Sequence, residues 1–240
     1  MKRIFVPTRD GTDWQRLLAK PTLHWKMGAS AMTAAASWED ASGELPAEIS
    51  SLLSRTSEPS LVDLSLLAAL PEWQVALPGG DTTSNTDVLA ICRNESGVCI
   101  VAVEAKVLED FGPLLKDKRA GASPNQERRL AYLHELLGVS AFDDAIRYQL
   151  LHRTASALLT AQQFHAHCAV MLVHGTPAPE TVGLHRLLRR HGLDGSHYRR
   201  LARCVECGAY SVLGLVRRGL QVPFRGVAEN GDCGHVAGAN

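Results

Sequence analysis

Apolar and polar positions alternate most legibly over residues 84–106, SNTDVLAICRNESGVCIVAVEAK. Val88 to Cys92 form one short apolar run and Val98 to Val103 another, with the turn-forming Asn94-Glu95-Ser96-Gly97 between them. β-branched content and the flanking turn favour two strands over buried helix. If Glu95 and Ser96 form the loop, Asn94 faces Gly97 and the same register puts Asp87 across from Glu104. A four-residue loop keeps that register; a three-residue loop shifts it by one and moves Asp87 toward the other face. Within one strand Glu104 and Lys106 share a face because side chains alternate, and Ala105 points away.

The rest of the chain reads as a continuous α/β pattern. Lys2–Val6 suggests a short leading strand, and Trp14–Leu18 a helical turn opened by Thr12-Asp13. Ser30–Ala41 suits a helix with Ser30 as N-cap, and Pro46-Ala47-Glu48 opens another. Leu61–Leu70, LVDLSLLAAL, reads as helix and Trp73–Leu77 as a strand. Gly79–Asn85 is a polar loop leading into Asp87, and loops of this kind commonly form the rim of a site. Residues 107–124 read as a loop over that site or as a solvated connector. A helix from Asn125 to Leu137 ends at Gly138. Residues 143–164 form an amphipathic helix carrying Arg147, Gln149, His152 and Arg153, and 167–175 the strand after it.

Opposed carboxylates repel unless one is protonated or a cation lies between them. Asp87 and Glu104 therefore suggest ligands for Mg²⁺ or Mn²⁺, hard cations that take oxygen donors and retain water. Such an ion polarises a phosphoryl oxygen and acidifies bound water. Lys106 would orient or deprotonate that water, or offset charge on the phosphate. The plainer alternative is a surface strand end whose lysine pairs with Glu104 or Asp87.

Asp87 followed by Glu104-Ala105-Lys106 resembles the signature of the PD-(D/E)XK nuclease-like superfamily. Thr86 stands where that motif often has proline. The resemblance implies an α/β fold with a restriction-endonuclease-like core, a central mixed four- to five-stranded sheet flanked by helices. It implies a core order of helix, three antiparallel strands, helix and strand, and a Mg²⁺-dependent nuclease. It also implies an acidic residue on the first core helix, for which Glu39 is preferred to Glu48. A glutamine on the helix after the ExK segment is implied too, and Gln149 is the candidate. Arg153 replaces the tyrosine usual four residues later. The alternative is a catalytically inactive module of this fold that binds nucleic acid or a protein.

Composition narrows the picture further. The 240 residues carry 45% apolar and 21% charged side chains and a formal net charge of zero. Nucleic-acid binding would then rely on a local patch rather than a global field. Candidates for that patch lie in the basic segments around His185–His191, Tyr198–Arg203 and Arg217-Arg218. One domain over residues 1–225 and a Gly/Ala-rich flexible tail over 226–240 are expected. The six cysteines, three of them inside apolar strands, suit a reducing, cytoplasmic setting. Cys204 and Cys207 with Cys233 and His235 would make a zinc site only if the tail folds back. His165, His167 and His174 bracket a strand at a spacing that suggests packing or surface roles. No run of about 18 apolar residues exists to span a membrane. Nucleotide-binding P-loop and Gly-x-Ser-x-Gly motifs are absent. Oligomeric state is not readable from the chain.

Overall fold

The computed structural model describes residues 8–56, 58–107, 110–138 and 141–175, and the backbone of Tyr198–Leu201 and Gly214–Arg218. The expected Lys2–Val6 strand and His185–Gly192 helix, the zinc candidates Cys204, Cys207, Cys233 and His235, and the 226–240 tail lie outside these residues.

A 3-10 turn at Gly11–Leu17 is capped by the Asp10 side chain and leads to α1 (Pro21–His24), α2 (Ser30–Asp40) and α3 (Ala47–Arg55). Strands β1 (Ser65–Val75), β2 (Ser84–Asn94) and β3 (Gly97–Lys106) follow as an antiparallel meander. Helices α4 (Leu115–Arg119), α5 (Pro124–Leu137) and α6 (Tyr148–Gln163) then cross over to β4 (Cys168–Gly175), which runs parallel to β3. Short strands β5 (Tyr198–Leu201) and β6 (Gly214–Arg218) extend the sheet, giving the order β1-β2-β3-β4-β6-β5. The fold is therefore α/β with a mixed sheet flanked by helices, and the two outer strands take it from the expected four or five to six.

The hairpin register follows from its turn. Asn94 pairs with Gly97, Glu95 and Ser96 form the loop, and the ladder runs to Val88 opposite Val103. Asn94 secures the corner: Ser96 N–H donates to its Oδ1 at 2.9 Å, and its Nδ2 donates to Pro59 O and Val62 O at 2.9 and 2.8 Å. The next positions beyond Val88 and Val103 are Asp87 and Glu104, so the expected juxtaposition is realised.

Strands β3 and β4 lie in the sheet interior and are buried almost throughout, as parallel neighbours covered on both faces must be. One face packs Val88, Ala90, Val101 and Val103 against Trp38, Ile49 and Leu52 of α2 and α3. The other packs Leu89 and Ile100 against Leu130, Leu133, Leu151, Ala155 and Leu158 of α5 and α6. Helix α5 starts with a capping box between Ser123 and Gln126 and stops at Gly138, whose φ of 64° is left-handed.

Three expectations need correction. Ser65–Leu70, part of the segment read as helix, is instead the first half of β1. An apolar run ending at proline satisfies either reading locally; the unpaired edge of β2 decides it, and Pro71 is tolerated because β1 is an edge strand. The helix expected from 143 begins only at Tyr148, since residues up to Arg147 are tied to the preceding loop by Leu115 N–H to Ile146 O at 2.7 Å and Tyr148 N–H to Pro113 O at 3.1 Å. Ser30 lies inside α2 rather than capping it, and its Oγ accepts from Val107 N–H at 3.0 Å, at the end of β3.

Candidate active site

The side chains that matter lie on the α6 face of the sheet, where β1, β2 and β3 converge. Glu104, 2% exposed, is held from three sides. Its Oε1 accepts from Gln149 Nε2 at 2.6 Å and lies 3.1 Å from Lys106 Nζ. Its Oε2 accepts from Arg153 Nε at 2.6 Å. Gln149 and Arg153 reach it together because residues four apart share a helix face. Lys106 sits two residues along the same strand, and its ammonium lies 5.5 Å from the centre of the Phe111 ring. Beside Lys106 the sheet comes very close: a Cβ on Gly175 would stand 1.5 Å from the Lys106 carbonyl oxygen, so only glycine fits there.

Asp87 faces the same space, and its Oδ2 accepts the Ala105 N–H at 2.7 Å. Burial pushes its carboxyl well above the usual range. The charges of Glu104 and Glu72 push the same way, against the opposing pull of Arg153 and the Ala105 N–H. Sequence reasoning missed Glu72. It falls between the pairs Pro71–Val88 and Trp73–Thr86, and so opposite Asp87. Its φ of 52° is left-handed, a strained choice for a residue with a side chain. In a regular strand Glu72 and Trp73 would face opposite sides. Here Trp73 donates its indole N–H to Thr160 of α6 at 3.1 Å, and Glu72 also feels Arg153 and Glu104. Burial lifts the Glu72 carboxyl to about 7, helped by Glu104 and opposed by Arg153. The signal available in the sequence was one acid inside the apolar stretch LLAALPEWQV.

Three carboxylates facing one lysine and one arginine leave the cluster short of positive charge. Acidic oxygens on adjacent strands, two of them resisting ionisation, are a donor set that suits a hard dication. Both Glu104 oxygens, however, are already engaged. Among the described residues, no group of three or more His, Cys, Asp or Glu side chains is arranged to hold a metal ion. An ion on Asp87 and Glu104 would therefore share Glu104 with Arg153, Gln149 and Lys106.

Glu39 is not brought to this cluster. Its Oε1 accepts from Thr8 Oγ1 and Trp14 Nε1, both at 2.9 Å, on the α2 face of the sheet. Glu48, the other acid considered, also serves that face: it accepts from Ser37 Oγ at 2.7 Å and lies 3.1 Å from His174 Nε2. His174 is thereby a packing histidine of β4, its pKa lowered by burial against the pull of Glu48.

A buried arginine shapes the rim. Arg129 of α5 donates to the carbonyls of Leu77, Pro78 and Thr82, each at 3.0 Å, and to Thr82 Oγ1 at 3.0 Å. The loop closes on α5 through Gly79, where a Cβ would stand 2.2 Å from the Asn125 carbonyl oxygen. At its end Ser84 Oγ accepts from Arg153 Nη1 at 3.1 Å and meets His152 Nδ1 at 2.8 Å. Burial, with Arg153, Arg129, Lys118 and Lys106 nearby, takes the His152 pKa down to about 3.

Residues 7–181 match the family model described as a domain of unknown function, DUF6946. The chain belongs to the DUF6946 family. The match includes every residue of the cluster just described and stops before β5 and β6 of this DUF6946 protein. No curated protein and no solved structure matches the chain. Among the described residues, no helix is long and apolar enough to cross a membrane.

Proposed function

We propose that this DUF6946 protein is a Mg²⁺- or Mn²⁺-dependent nuclease of the PD-(D/E)XK type that hydrolyses phosphodiester bonds. One observation carries the reading: Asp87 and Glu104 face each other on the rung just beyond Val88–Val103, at the open end of one hairpin, with Lys106 on Glu104 and Gln149 reaching it from α6. The order of helices, three-stranded meander, helix α6 and parallel β4 supports it.

Asp87 and Glu104 would hold the ion, with Glu72 a further acid on the strand opposite Asp87. When bound, the ion would polarise a phosphoryl oxygen and acidify a water. Lys106 holds a proton-bearing ammonium beside Glu104, placed to orient the attacking water or offset charge on the phosphoryl group. Gln149 fixes one Glu104 oxygen, so that carboxylate is oriented before any ligand arrives. Burial of the cluster strengthens each of these interactions. The free, buried thiols of Cys92, Cys99 and Cys168 support a cytoplasmic enzyme.

The test is cleavage of a labelled oligonucleotide with Mg²⁺ or Mn²⁺. Lys106→Ala should keep the fold, read by circular dichroism, and lose activity by about a hundredfold or more. Undiminished cleavage in that variant defeats the assignment.

The 2.6 Å Arg153–Glu104 pair favours a second reading, a nuclease-like module that has given up catalysis. Calorimetric titration with Mn²⁺ separates the two. Binding that Asp87→Asn abolishes supports the enzyme, and no binding to the wild type supports the module.

A further inference from the structure

Two cavities of about 230 and 600 Å³ open beside the carboxylate cluster and share Thr82, Thr83, Lys118, Tyr148 and His152 as walls. They form one cleft between the rim loop, α4 and the start of α6. The larger cavity reaches Gln149 and Arg153, the two α6 residues that hold Glu104. The smaller one reaches Arg129.

The lining is cationic. Among the described residues that line the cleft, Lys118, Arg129 and Arg153 stand against one carboxylate, Asp81. Arg129 and Arg153 are committed, one to the loop carbonyls and the other to Glu104. Lys118 lies 5.5 Å from the centre of the Tyr148 ring.

The contacts of Ser84 assign a tautomer to His152. Arg153 Nη1 donates to Ser84 Oγ at 3.1 Å, so the Ser84 hydroxyl hydrogen points elsewhere. Two acceptors are then in reach, His152 Nδ1 at 2.8 Å and the His152 carbonyl oxygen at 3.5 Å, and the shorter contact takes the hydrogen. The neutral ring therefore carries its proton on Nε2, and among the described residues that N–H makes no hydrogen bond. It belongs to a side chain that lines both cavities. The first turn of α6, which enters this cleft with no acidic residue, adds a favourable partial charge for an anion. The Thr82 hydroxyl, which accepts from Arg129 and keeps its own hydrogen to donate, completes a set of donors drawn from three separate elements.

We propose that this cleft binds a phosphoryl group, with His152 Nε2–H and the Lys118 ammonium as its two direct donors. A tetrahedral anion with several equivalent oxygens matches donors that converge from different directions. The inference rests on the nuclease reading only in making that group part of a substrate strand.

The experiment uses the full chain, ¹⁵N-labelled, in EDTA so that no cleavage occurs. Long-range ¹H–¹⁵N spectra should show His152 protonated on Nε2. Titration with inorganic phosphate should move its ring signals saturably. Lys118→Ala and His152→Phe should each weaken phosphate binding by about tenfold. Lys116→Ala, which removes an equal charge from the same helix outside the cleft, should leave it unchanged. A single-stranded hexanucleotide that displaces phosphate at the same signals identifies a substrate strand as the source. Phosphate binding that the hexanucleotide does not displace identifies a small phosphorylated compound. Equal weakening by Lys116→Ala and Lys118→Ala, or ring signals that never respond, overturns the proposal. Metal-dependent cleavage alongside an unresponsive His152 would sink the subsite and spare the nuclease. A responsive His152 in a protein that cuts nothing would do the reverse.

Discussion

Acidification from pH 7 to pH 5 should destabilise this protein by about 2 kcal/mol through His152 alone. The imidazole sits in the fold with a pKa near 3, against 6.5 for an ordinary histidine, because burial and the Arg153, Arg129, Lys118 and Lys106 charges oppose its protonation. Below pH 6.5 the unfolded chain binds a proton that the folded chain refuses. A depressed folded pKa thus contributes stability that is present above the unfolded value and lost as pH falls toward the folded one. Across that window the slope approaches 1.4 kcal/mol per pH unit, and the part already traversed by pH 5 is about 2 kcal/mol. Urea unfolding followed by tryptophan fluorescence at pH 7 and pH 5, in EDTA, measures the loss. Other groups contribute too: Glu72 and Asp87 are raised and act in the opposite direction, while His174 is lowered and acts in the same one. The comparison with His152→Gln cancels them. That variant keeps a donor and an acceptor toward Ser84 but cannot titrate, so it should lose about 2 kcal/mol less than the wild type over the same interval. Identical acid losses in the two proteins would refute the neutral, Ser84-bound imidazole on which the tautomer argument depends.

Glu72→Gln tests the charge shortage of the cluster. The wild-type carboxyl is raised from 4.5 to about 7, so its contribution is whole below pH 4.5 and is lost as pH rises through 7. The variant should therefore gain up to about 3 kcal/mol on the wild type between pH 4 and pH 8, read by chemical denaturation at both ends. No pH-dependent difference would place Glu72 in water rather than in the cluster. Arg129→Met should cost about 3 kcal/mol or more, because it strands the carbonyls of Leu77, Pro78 and Thr82 beside an otherwise packed helix. An unchanged thermal midpoint would mean that water replaces the guanidinium without loss.

What the sequence determined by itself was local. A two-residue loop at Glu95-Ser96, one of the two registers open to the turn Asn94–Gly97, sets the pairing of everything above it, and period-two alternation then puts Asp87, Glu104 and Lys106 on one face. The end of α5 was legible for a similar reason, since Gly138 supplies a backbone conformation that few other residues accept. Contacts between distant segments were settled only by the tertiary structure. Leu61–Leu70 carries no period that separates helix from strand, and its outcome rests on which edge of β2 needed a partner. Glu72 enters the cluster through a left-handed residue that no spacing rule announces. Glu39, a surface-like glutamate in the sequence, is drawn instead to Thr8 and Trp14 across the sheet. Ser84 and His152 lie 68 positions apart, and Arg129 about 50 from the carbonyls it holds. Such pairs form because packing α5 and α6 onto the sheet buries polar groups that must then find partners, and a linear pattern does not encode which partners those will be.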